Sequence, residues 1–372
     1  MQIERRYSVG FDTEWDLAAV RDMVHGAQHV VLVAHTNADG DAVGSVTGMY
    51  TLLRKAGGTI TPMLPDGVPD ELAWLPCVDA VLSGKTQADA CSEAIAEADL
   101  VIGLDISGFG RTGVLEQWLR ASTARKLLVD HHEKSGERKA ESGKWKVENG
   151  RGVPPCTPAN GEWDVEIVEP NISSTCELVY WLMREAFGSE VFTKEAAECL
   201  YTGICTDTGT FSYSNDRTSV YLAAAELLQY GIDPMYINRS IKNVFSEARL
   251  RFFGYAMAHR LTVYEGPQVA LMVLTAKEIA DGGVESSELT GLINEVMKLR
   301  SIDCGILVRE ETTCAGSRVR LSLRSKERYD VNLLASEMFG GGGHKRAAGA
   351  TSTVTLAETV KIVKQRLNLE DR

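Results

Sequence analysis

The chain has 372 residues, with 39 basic and 51 acidic side chains and a formal net charge of −12 at pH 7. An acidic protein repels polyanions in bulk, which excludes a general nucleic-acid coat protein and requires local cations or bound metal for any phosphate-bearing ligand. The hydrophobic content of 44% and the charged content of 24% are ordinary for a soluble protein, and the length predicts two domains.

The first predicted elements are a helix, a buried strand and a second helix. Residues 13–16 resemble a capping box and predict a helix that runs to about Gly26. The apolar run of residues 30–34 predicts a strand, and residues 42–55 show a helical pattern that stops before a pair of glycines. A strand, a tight loop and a helix in this order are typical of a parallel α/β sheet.

The loop after this strand carries residues that suit metal binding. His35, Asp39 and Asp41 follow the carboxyl end of the strand, where open α/β sheets bind their ligands. Gly40 is expected to let the backbone turn so that both carboxylates face one crevice. Two close carboxylates are stable only when cations neutralise them or one acid holds a proton. Taken alone, this motif is equally typical of an Asx-rich turn with a helix cap.

Further apolar runs predict more strands of the same sheet, at residues 59–64, 98–104 and 126–129. Acids or histidines follow two of these strands, namely Asp105, Asp130, His131 and His132. Because strands alternate with helices, we predict an α/β fold with a doubly wound parallel sheet that is covered on both faces. The carboxyl ends of its strands would bring these side chains into one crevice.

The next segment is polar and then becomes helical. Residues 133–163 lack apolar periodicity and are predicted to be a surface insertion. A serine-rich cap at residues 173–177 opens a helix that reaches Phe187. A helix over residues 194–205 leads to Asp207, and residues 218–230 predict another helix.

A connector is predicted at residues 231–246, which divides the chain into domains of residues 1–230 and 247–372. The second domain is predicted to begin with a helix at residues 247–260. Strands are predicted at residues 268–274, 304–310 and 318–325, with a helix between the first two of them. The last strand alternates strictly, with apolar side chains on one face and three arginines (Arg318, Arg320 and Arg324) together with Ser322 on the opposite face. A glycine run follows at residues 340–343.

These strand-end residues predict a centre with two metal ions. The set contains Asp and His but no Cys, which suits Mn²⁺ or Mg²⁺ better than structural Zn²⁺. Six candidate ligands exceed what one catalytic ion needs, so two ions are the better count. Asp130 is predicted to orient a neighbouring imidazole through its second nitrogen.

Six segments of the chain form a recognisable set: HTNADGDAVGS, LDISG, VDHH, TGICTDTGTF, SLRS and GGGGHKRAAG. Taken together, they resemble the DHH/DHHA1 phosphoesterase superfamily, in the two-domain form of the nanoRNase/pAp-phosphatase group. The resemblance covers residues from about Asp12 to Val363. It implies a DHH catalytic domain and a smaller α/β DHHA1 domain, with the active site in the cleft between them.

The resemblance also implies roles for individual residues. His35, Asp39 and Asp105 would hold one ion, and Asp105 would bridge to a second ion held with three further ligands, Asp41, His131 and Asp207. His132 would contact the scissile phosphate or assist the leaving group. Mn²⁺ is the first expectation for the metal, with Mg²⁺ and Co²⁺ as alternatives. The insertion after VDHH is a departure from the family pattern.

In the second domain, cationic and glycine-rich residues are predicted to grip the substrate. A guanidinium binds a phosphate through two hydrogen bonds, and glycines let backbone N–H groups approach an anion. The predicted substrate-binding residues are Ser322, Arg324, Gly342, Gly343, His344, Lys345 and Arg346. For the glycines alone a flexible loop is an equal alternative, and for the strand a solvated charged face.

The leading functional prediction is hydrolysis of very short oligoribonucleotides and of 3′-phosphoadenosine 5′-phosphate (pAp), as the resemblance implies. Hydrolysis of cyclic dinucleotides or linear pNpN products is the nearest alternative. A processive exonuclease is disfavoured because the chain has no room for more nucleic-acid-binding domains, and a family inorganic pyrophosphatase would lack the GGGGH segment. A catalytically silent nucleotide-binding protein would be expected to lack a metal ligand, and none is missing.

The expected location is the cytoplasm, without a membrane or a long duplex nucleic acid as partner. The amino end has no following apolar segment, and no apolar run reaches the length of a membrane span. Eight cysteines are scattered without a CxxC pair and predict reduced thiols. A homodimer is expected because family members are often dimers.

Overall fold

The computed structural model of the chain describes residues 14–54, 57–132, 162–212, 217–242, 245–289, 291–313 and 316–370. The chain divides into two compact units, Met1–Val244 and Phe245–Arg372. Most of the predicted insertion at residues 133–163 lies outside the described residues, as does the start of the predicted capping box. Among the described residues, no helix is long and apolar enough to cross a membrane.

The first unit contains eight α-helices and six strands among the residues described. Its helices are α1 (Leu17–Gly26), α2 (Gly40–Leu53), α3 (Ala88–Glu97), α4 (Glu116–Ala121), α5 (Thr175–Phe187), α6 (Lys194–Asp207), α7 (Thr218–Leu227) and α8 (Pro234–Lys242). Its strands are β1 (His29–Val33), β2 (Thr59–Leu64), β3 (Leu82–Ser83), β4 (Leu100–Leu104), β5 (Arg125–Asp130) and β6 (Val165–Val168).

All six strands form one parallel sheet in the order β3-β2-β1-β4-β5-β6. This order confirms the predicted doubly wound sheet. The strand order reverses direction between β1 and β4, which are paired in parallel with Val30 opposite Leu100. Both faces are covered, since Leu32 belongs to one buried apolar cluster and Val33 to another. The carboxyl ends of β1 and β4 therefore flank the position where doubly wound sheets bind ligands.

Helix α8 lies within the segment that the sequence suggested as a connector. Its Ile237 is buried in the core of the first unit, and its Tyr236 ring packs edge-on against Trp74 at 5.7 Å. The segment thus contains an ordered helix that packs on the first unit. The domain limits themselves remain a prediction.

The second unit contains five α-helices and six strands among the residues described. Its helices are α9 (Glu247–His259), α10 (Ala276–Asp281), α11 (Leu292–Val296), α12 (Val331–Phe339) and α13 (Leu356–Leu367). Its strands are β7 (Leu261–Tyr264), β8 (Val269–Leu274), β9 (Cys304–Thr313), β10 (Gly316–Ser325), β11 (Gly342–His344) and β12 (Ala347–Ser352).

These strands form a mixed sheet in the order β11-β12-β10-β9-β8-β7, in which only the β8–β9 pair is parallel. The predicted alternation in β10 is confirmed, because Val319, Leu321 and Leu323 are buried and Arg318 and Arg320 are exposed. The buried face of β10 packs against α12 and α13, which completes the core on that side of the sheet.

The glycine run forms a strand where the sequence suggested an anion nest or a flexible loop. Gly342 and Gly343 lie in β11, which pairs antiparallel with β12 at the edge of the sheet. A side chain at Gly343 would place its Cβ 2.5 Å from the carbonyl oxygen of Ala347, and its φ is +149°. Glycine is therefore required here so that two strands can approach closely.

Candidate metal centre

The loop after β1 forms a helix cap and carries predicted ligands at the same time. Asp39 is the N-cap of α2, and its Oδ1 accepts hydrogen bonds from the backbone N–H groups of Asp41 and Ala42, both at 3.1 Å. The Asp39 side chain is 58% exposed and lies 4.0 Å from Nε2 of His35. Both interpretations of the motif, the helix cap and the ligand, are therefore compatible with its geometry.

Gly40 has a different role from the predicted one. It is the first residue of α2 and is not among the glycines with positive φ, so the turn does not require it. A Cβ at this position would instead lie 2.4–2.8 Å from side-chain atoms of Thr206. Gly40 thus allows α6 to approach α2, and α6 ends at Asp207.

Asp105 lies at the centre of the cluster and faces two histidines. Its Oδ2 is 3.3 Å from Nε2 of His35, and its Oδ1 is 3.6 Å from Nε2 of His131. The residue is 2% exposed and has a φ of +57°, which is uncommon outside glycine and costs on the order of 1 kcal/mol. Strained backbone of this kind tends to persist at functional sites.

The structure brings all six predicted ligands into two groups of three, and a further group of Asp105, His131 and His132 shares one residue with each of them. Within each group the potential ligand atoms lie within 4.8 Å of one another. The first group contains His35, Asp39 and Asp105, and the second contains Asp41, His131 and Asp207. Nε2 of His131 is 3.4 Å from Asp207 and 3.9 Å from Asp41. Since Asp105 also lies beside His131, it is placed to join the two groups.

The charges of the cluster favour a bound cation. Burial, followed by the charges of Asp39 and Asp105, raises the pKa of Asp207 to about 8. Burial and neighbouring carboxylates also raise the pKa of Asp41 well above its usual value. Burial opposes ionisation of Asp105 as well, but hydrogen bonding to His35 and nearby histidine charges hold its pKa below the usual value. A divalent cation would relieve the repulsion between these carboxylates.

The two imidazoles are oriented as metal ligands usually are. Nδ1 of His35 lies 2.8 Å from the carbonyl oxygen of Thr36, which leaves Nε2 facing the carboxylates. The ring of His131 is hydrogen-bonded to the backbone of Ile172 and likewise directs Nε2 toward Asp207. A backbone partner on the second nitrogen fixes the tautomer that a metal requires. The oxygen and nitrogen donors here therefore fit a hard or borderline divalent ion.

Asp130 orients the last histidine of the VDHH segment. Its Oδ1 lies 2.8 Å from Nδ1 of His132 and accepts the backbone N–H of the same residue at 3.2 Å. The hydrogen bond that His132 donates to Asp130 raises the pKa of His132, despite the opposing effect of burial. Nδ1 of His132 is also 3.4 Å from Asp105, so this histidine borders the cluster.

In the second unit, strand register aligns several of the predicted substrate-binding residues. Ser322 pairs with Gly349, which pairs with Gly342. Two rows further along, Arg324 pairs with Ala347, which pairs with His344. These rows place residues of β10, β12 and β11 side by side.

The remaining residues of that set lie around the same hairpin. Gly343 falls in the intervening row, opposite the buried Ala348. Lys345 and Arg346 are exposed in the turn between β11 and β12, and their carbonyl oxygens accept backbone hydrogen bonds from Val331 and Ser325. The guanidinium of Arg324 donates to Asn294 at 3.2 Å, a partner that the sequence did not suggest.

Comparison with known protein families and solved structures identifies two domains in this chain. The model of the DHH family, N-terminal domain, matches residues 29–204, and the model of the DHHA1 domain matches residues 266–369. The crystal structure of an exopolyphosphatase-related protein from Bacteroides fragilis matches with a TM-score of 0.83 and 31% identity, over 95% of each chain. This chain belongs to the DHH family.

Two relatives of this DHH protein carry the name bifunctional oligoribonuclease and PAP phosphatase NrnA. The relative from Thermus thermophilus is 26% identical over 87% of this chain and 83% of its own length. The relative from Bacillus subtilis is 25% identical over 87% of this chain and 88% of its own length. The similarity therefore extends across both the DHH and the DHHA1 domain.

Within the DHH domain, the start of α5 makes contacts with the cluster that the sequence did not predict. The backbone N–H groups of Thr175 and Cys176 donate to the two carboxylate oxygens of Asp41, at 2.7 and 2.8 Å. The Thr175 hydroxyl donates to Oδ1 of Asp105 at 3.1 Å. The serine-rich sequence indicated a helix start, and Ser174 is indeed the N-cap, but nothing in it indicated these partners.

Proposed function

We propose that this DHH protein hydrolyses phosphoester bonds in very short oligoribonucleotides and removes a phosphate from pAp, with two divalent metal ions. The observation that supports this most strongly is the position of Asp105, whose two oxygens face His35 and His131 separately. A carboxylate in this position can bridge two ions, as two-metal phosphoesterases require. The names of the two NrnA relatives support the choice of substrates.

The first ion would be held by His35, Asp39 and Asp105. The second would be held by Asp105 together with three further ligands, namely Asp41, His131 and Asp207. Such a pair of ions activates water for attack and neutralises the charge on phosphoryl oxygens. We propose Mn²⁺ as the ion because carboxylate and imidazole donors suit it, with Mg²⁺ and Co²⁺ as alternatives.

His132 would contact the phosphate and supply a proton to the leaving oxygen. Asp130 holds its Nδ1, so Nε2 is the nitrogen that remains for the substrate. The same hydrogen bond raises the pKa of His132 and thus favours the protonated ring near neutral pH. A protonated imidazole can donate its proton to the alkoxide oxygen as the phosphoester bond breaks.

The DHHA1 domain would hold the part of the nucleotide that is not cut. Arg324 would pair with a phosphate through its guanidinium. His344 lies in the same row of the sheet as Arg324, and Ser322 lies two residues before Arg324 on β10. The turn residues Lys345 and Arg346 would add positive charge. A grip on one end of the substrate would favour molecules of a few nucleotides over long RNA.

We further propose that the protein works in the cytoplasm and as a homodimer. The six cysteines within the described residues are free thiols, which is typical of a reducing compartment. The homodimer is inferred from family resemblance alone, and sedimentation of the purified protein tests it directly.

The test of the proposed function is a comparison of substrates for the purified, metal-loaded protein. The substrates are a dinucleotide, a pentanucleotide, an RNA of about 24 nucleotides, pAp, pApA and cyclic di-AMP, each compared by kcat/KM. We expect kcat/KM to fall steeply with RNA length, pAp to lose one phosphate, and EDTA to abolish both activities. Much faster turnover of cyclic di-AMP or pApA than of other dinucleotides would contradict the proposal and favour second-messenger degradation.

A further inference from the structure

The first turn of α5 is built around the carboxylate of Asp41. In most helices the first backbone N–H groups are bound by a capping side chain or by water. In α5 the N–H groups of Thr175 and Cys176 each donate to a different oxygen of Asp41, 134 and 135 residues earlier in the chain. The N–H of Glu177 is bound by Ser174. Asp41 thus completes the cap and is held by both of its oxygens.

Thr175 links this carboxylate to the one at the centre of the cluster. Its backbone N–H donates to Oδ2 of Asp41 at 2.7 Å, and its hydroxyl donates to Oδ1 of Asp105 at 3.1 Å. Thr175 itself is fully buried. We infer that Thr175 is a positioning residue, which fixes Asp41 and Asp105 relative to each other and so shapes the second ion site. This inference rests on the proposed two-metal function.

The formation of α5 does not explain the choice of threonine. The cap is supplied by Ser174 and is reinforced by Glu177, whose carboxylate accepts both the backbone N–H and the hydroxyl of Ser173. The hydroxyl at position 175 donates instead to Asp105, a predicted metal ligand. The residue type at this position is therefore explained by Asp105.

The opposite side of Asp41 is also closed. A Cβ at Gly203 of α6 would lie 2.8 Å from Oδ1 of Asp41 and 2.2 Å from Sγ of Cys176. Helices α5 and α6 thus confine Asp41, which is 0% exposed. Because both oxygens of Asp41 accept backbone N–H groups, we expect the Thr175 hydroxyl to act mainly on the orientation of Asp105.

The experiment compares Thr175→Val, which removes the hydroxyl at similar volume, with Thr175→Ser, which retains it. Thr202→Val is the matched control, because Thr202 is equally buried and its hydroxyl donates to the Glu198 carbonyl of its own helix, at 2.7 Å. Metal-free protein is titrated with Mn²⁺ by calorimetry, and the EPR spectrum of the loaded protein reports magnetic coupling between ions. Turnover of pAp gives kcat and KM, and thermal unfolding reports the fold.

We expect Thr175→Val to weaken binding of one Mn²⁺ by about 10–100-fold, as loss of a group that orients a ligand typically does. The coupled EPR signal should be lost at Mn²⁺ concentrations that saturate the wild type. At those concentrations kcat should fall with little change in KM, and Thr175→Ser should recover most of both properties. Thr202→Val should bind Mn²⁺ like the wild type.

Wild-type Mn²⁺ binding and coupling in a folded Thr175→Val variant would overturn the inference. Equal losses in Thr175→Ser and Thr175→Val would also overturn it, since the hydroxyl would then not be the reason. Failure of the proposed function gives a different result. A wild-type protein that binds two coupled ions but does not hydrolyse pAp or short RNA would contradict the proposed substrates. The Mn²⁺ titration of the Thr175 variants would still test the role of Thr175 in that case.

Discussion

Nδ1 of His132 lies 2.8 Å from Oδ1 of Asp130, and the same oxygen accepts the backbone N–H of His132 at 3.2 Å. These two contacts hold the ring in one orientation and stabilise its protonated form. Asp130 is almost fully buried, so its interaction with the imidazole is poorly screened by water. The hydrogen bond to Asp130 thus raises the pKa of His132 beside the metal centre.

Asp130→Asn should move the alkaline limit of activity to lower pH. Asp130 raises the pKa of His132, so its removal lowers that pKa and the protonated ring is lost at a lower pH. Loss of one charged hydrogen bond predicts a shift on the order of one pH unit. The measurement is kcat against pH at saturating metal. Asp99→Asn is the control, because Asp99 lies at the opposite end of β4, where it caps backbone N–H groups. An unchanged alkaline limit would refute the role of His132 as a proton donor.

The metal-free protein should become less stable as the pH rises. Asp207 has a folded pKa of about 8, above its ordinary value of 3.8, so the folded state binds more protons than the unfolded state between these values. The stabilisation by this group is complete below pH 3.8 and is lost as the pH rises through about 8. A divalent ion should remove most of this loss, because it neutralises the ionised carboxylates.

Thermal unfolding with EDTA and with Mn²⁺, across pH 5–9, measures this effect. The gap between the Tm with Mn²⁺ and the Tm with EDTA should increase by roughly 5 °C or more from pH 5 to pH 9. Asp207→Asn should narrow the gap, because the variant carries no ionisable group at this position. A gap that stays constant across the range would show that the metal does not bind this cluster of carboxylates.

Arg324→Ala should weaken capture of substrate and leave metal binding unchanged. Loss of a charged hydrogen bond to phosphate predicts a rise in KM of about 10–100-fold with a smaller change in kcat. Arg320→Ala is the matched control, since Arg320 is on the same face of β10 but pairs with Thr351, beyond the end of β11. Equal effects of the two variants would indicate a general effect of charge and contradict a specific grip by Arg324.

Two glycines of the same strand should respond differently to substitution. Gly343→Ala would place Cβ against the Ala347 carbonyl at a strained φ of +149°, and should cost about 1–3 kcal/mol. Gly342→Ala would place its Cβ 3.8 Å from Oδ1 of Asn332, which is an ordinary contact. Unfolding of the two variants by urea compares their stabilities. Similar stabilities would contradict the close pairing of β11 with β12.

Sequence patterns predicted most strands of the first sheet and the clustering of the candidate metal ligands, because both signals are local. Apolar runs mark buried parallel strands, and the side chains that follow β1, β4 and β5 must meet at one edge of the sheet. The pairing of Thr175 with Asp41 could not be predicted, since it depends on how α5 packs against α2 across 134 residues of chain. The role of Gly40 and the strand formed by the glycine run depend on neighbours that are equally distant in sequence.

The two-metal account depends most directly on Asp105, and Asp105→Asn is the variant that tests it. Asparagine tolerates a φ of +57° better than most residues and has nearly the same volume, so the fold should survive. Its neutral amide offers a single oxygen and cannot bridge two ions as a carboxylate does.

The measurement is the number of Mn²⁺ ions bound per chain, determined by calorimetry and elemental analysis, together with hydrolysis of pAp. The account predicts two ions for the wild type, one or none for Asp105→Asn, and a loss of kcat of at least about 100-fold in the variant. A folded Asp105→Asn protein that binds two ions and retains most of its activity would contradict the account.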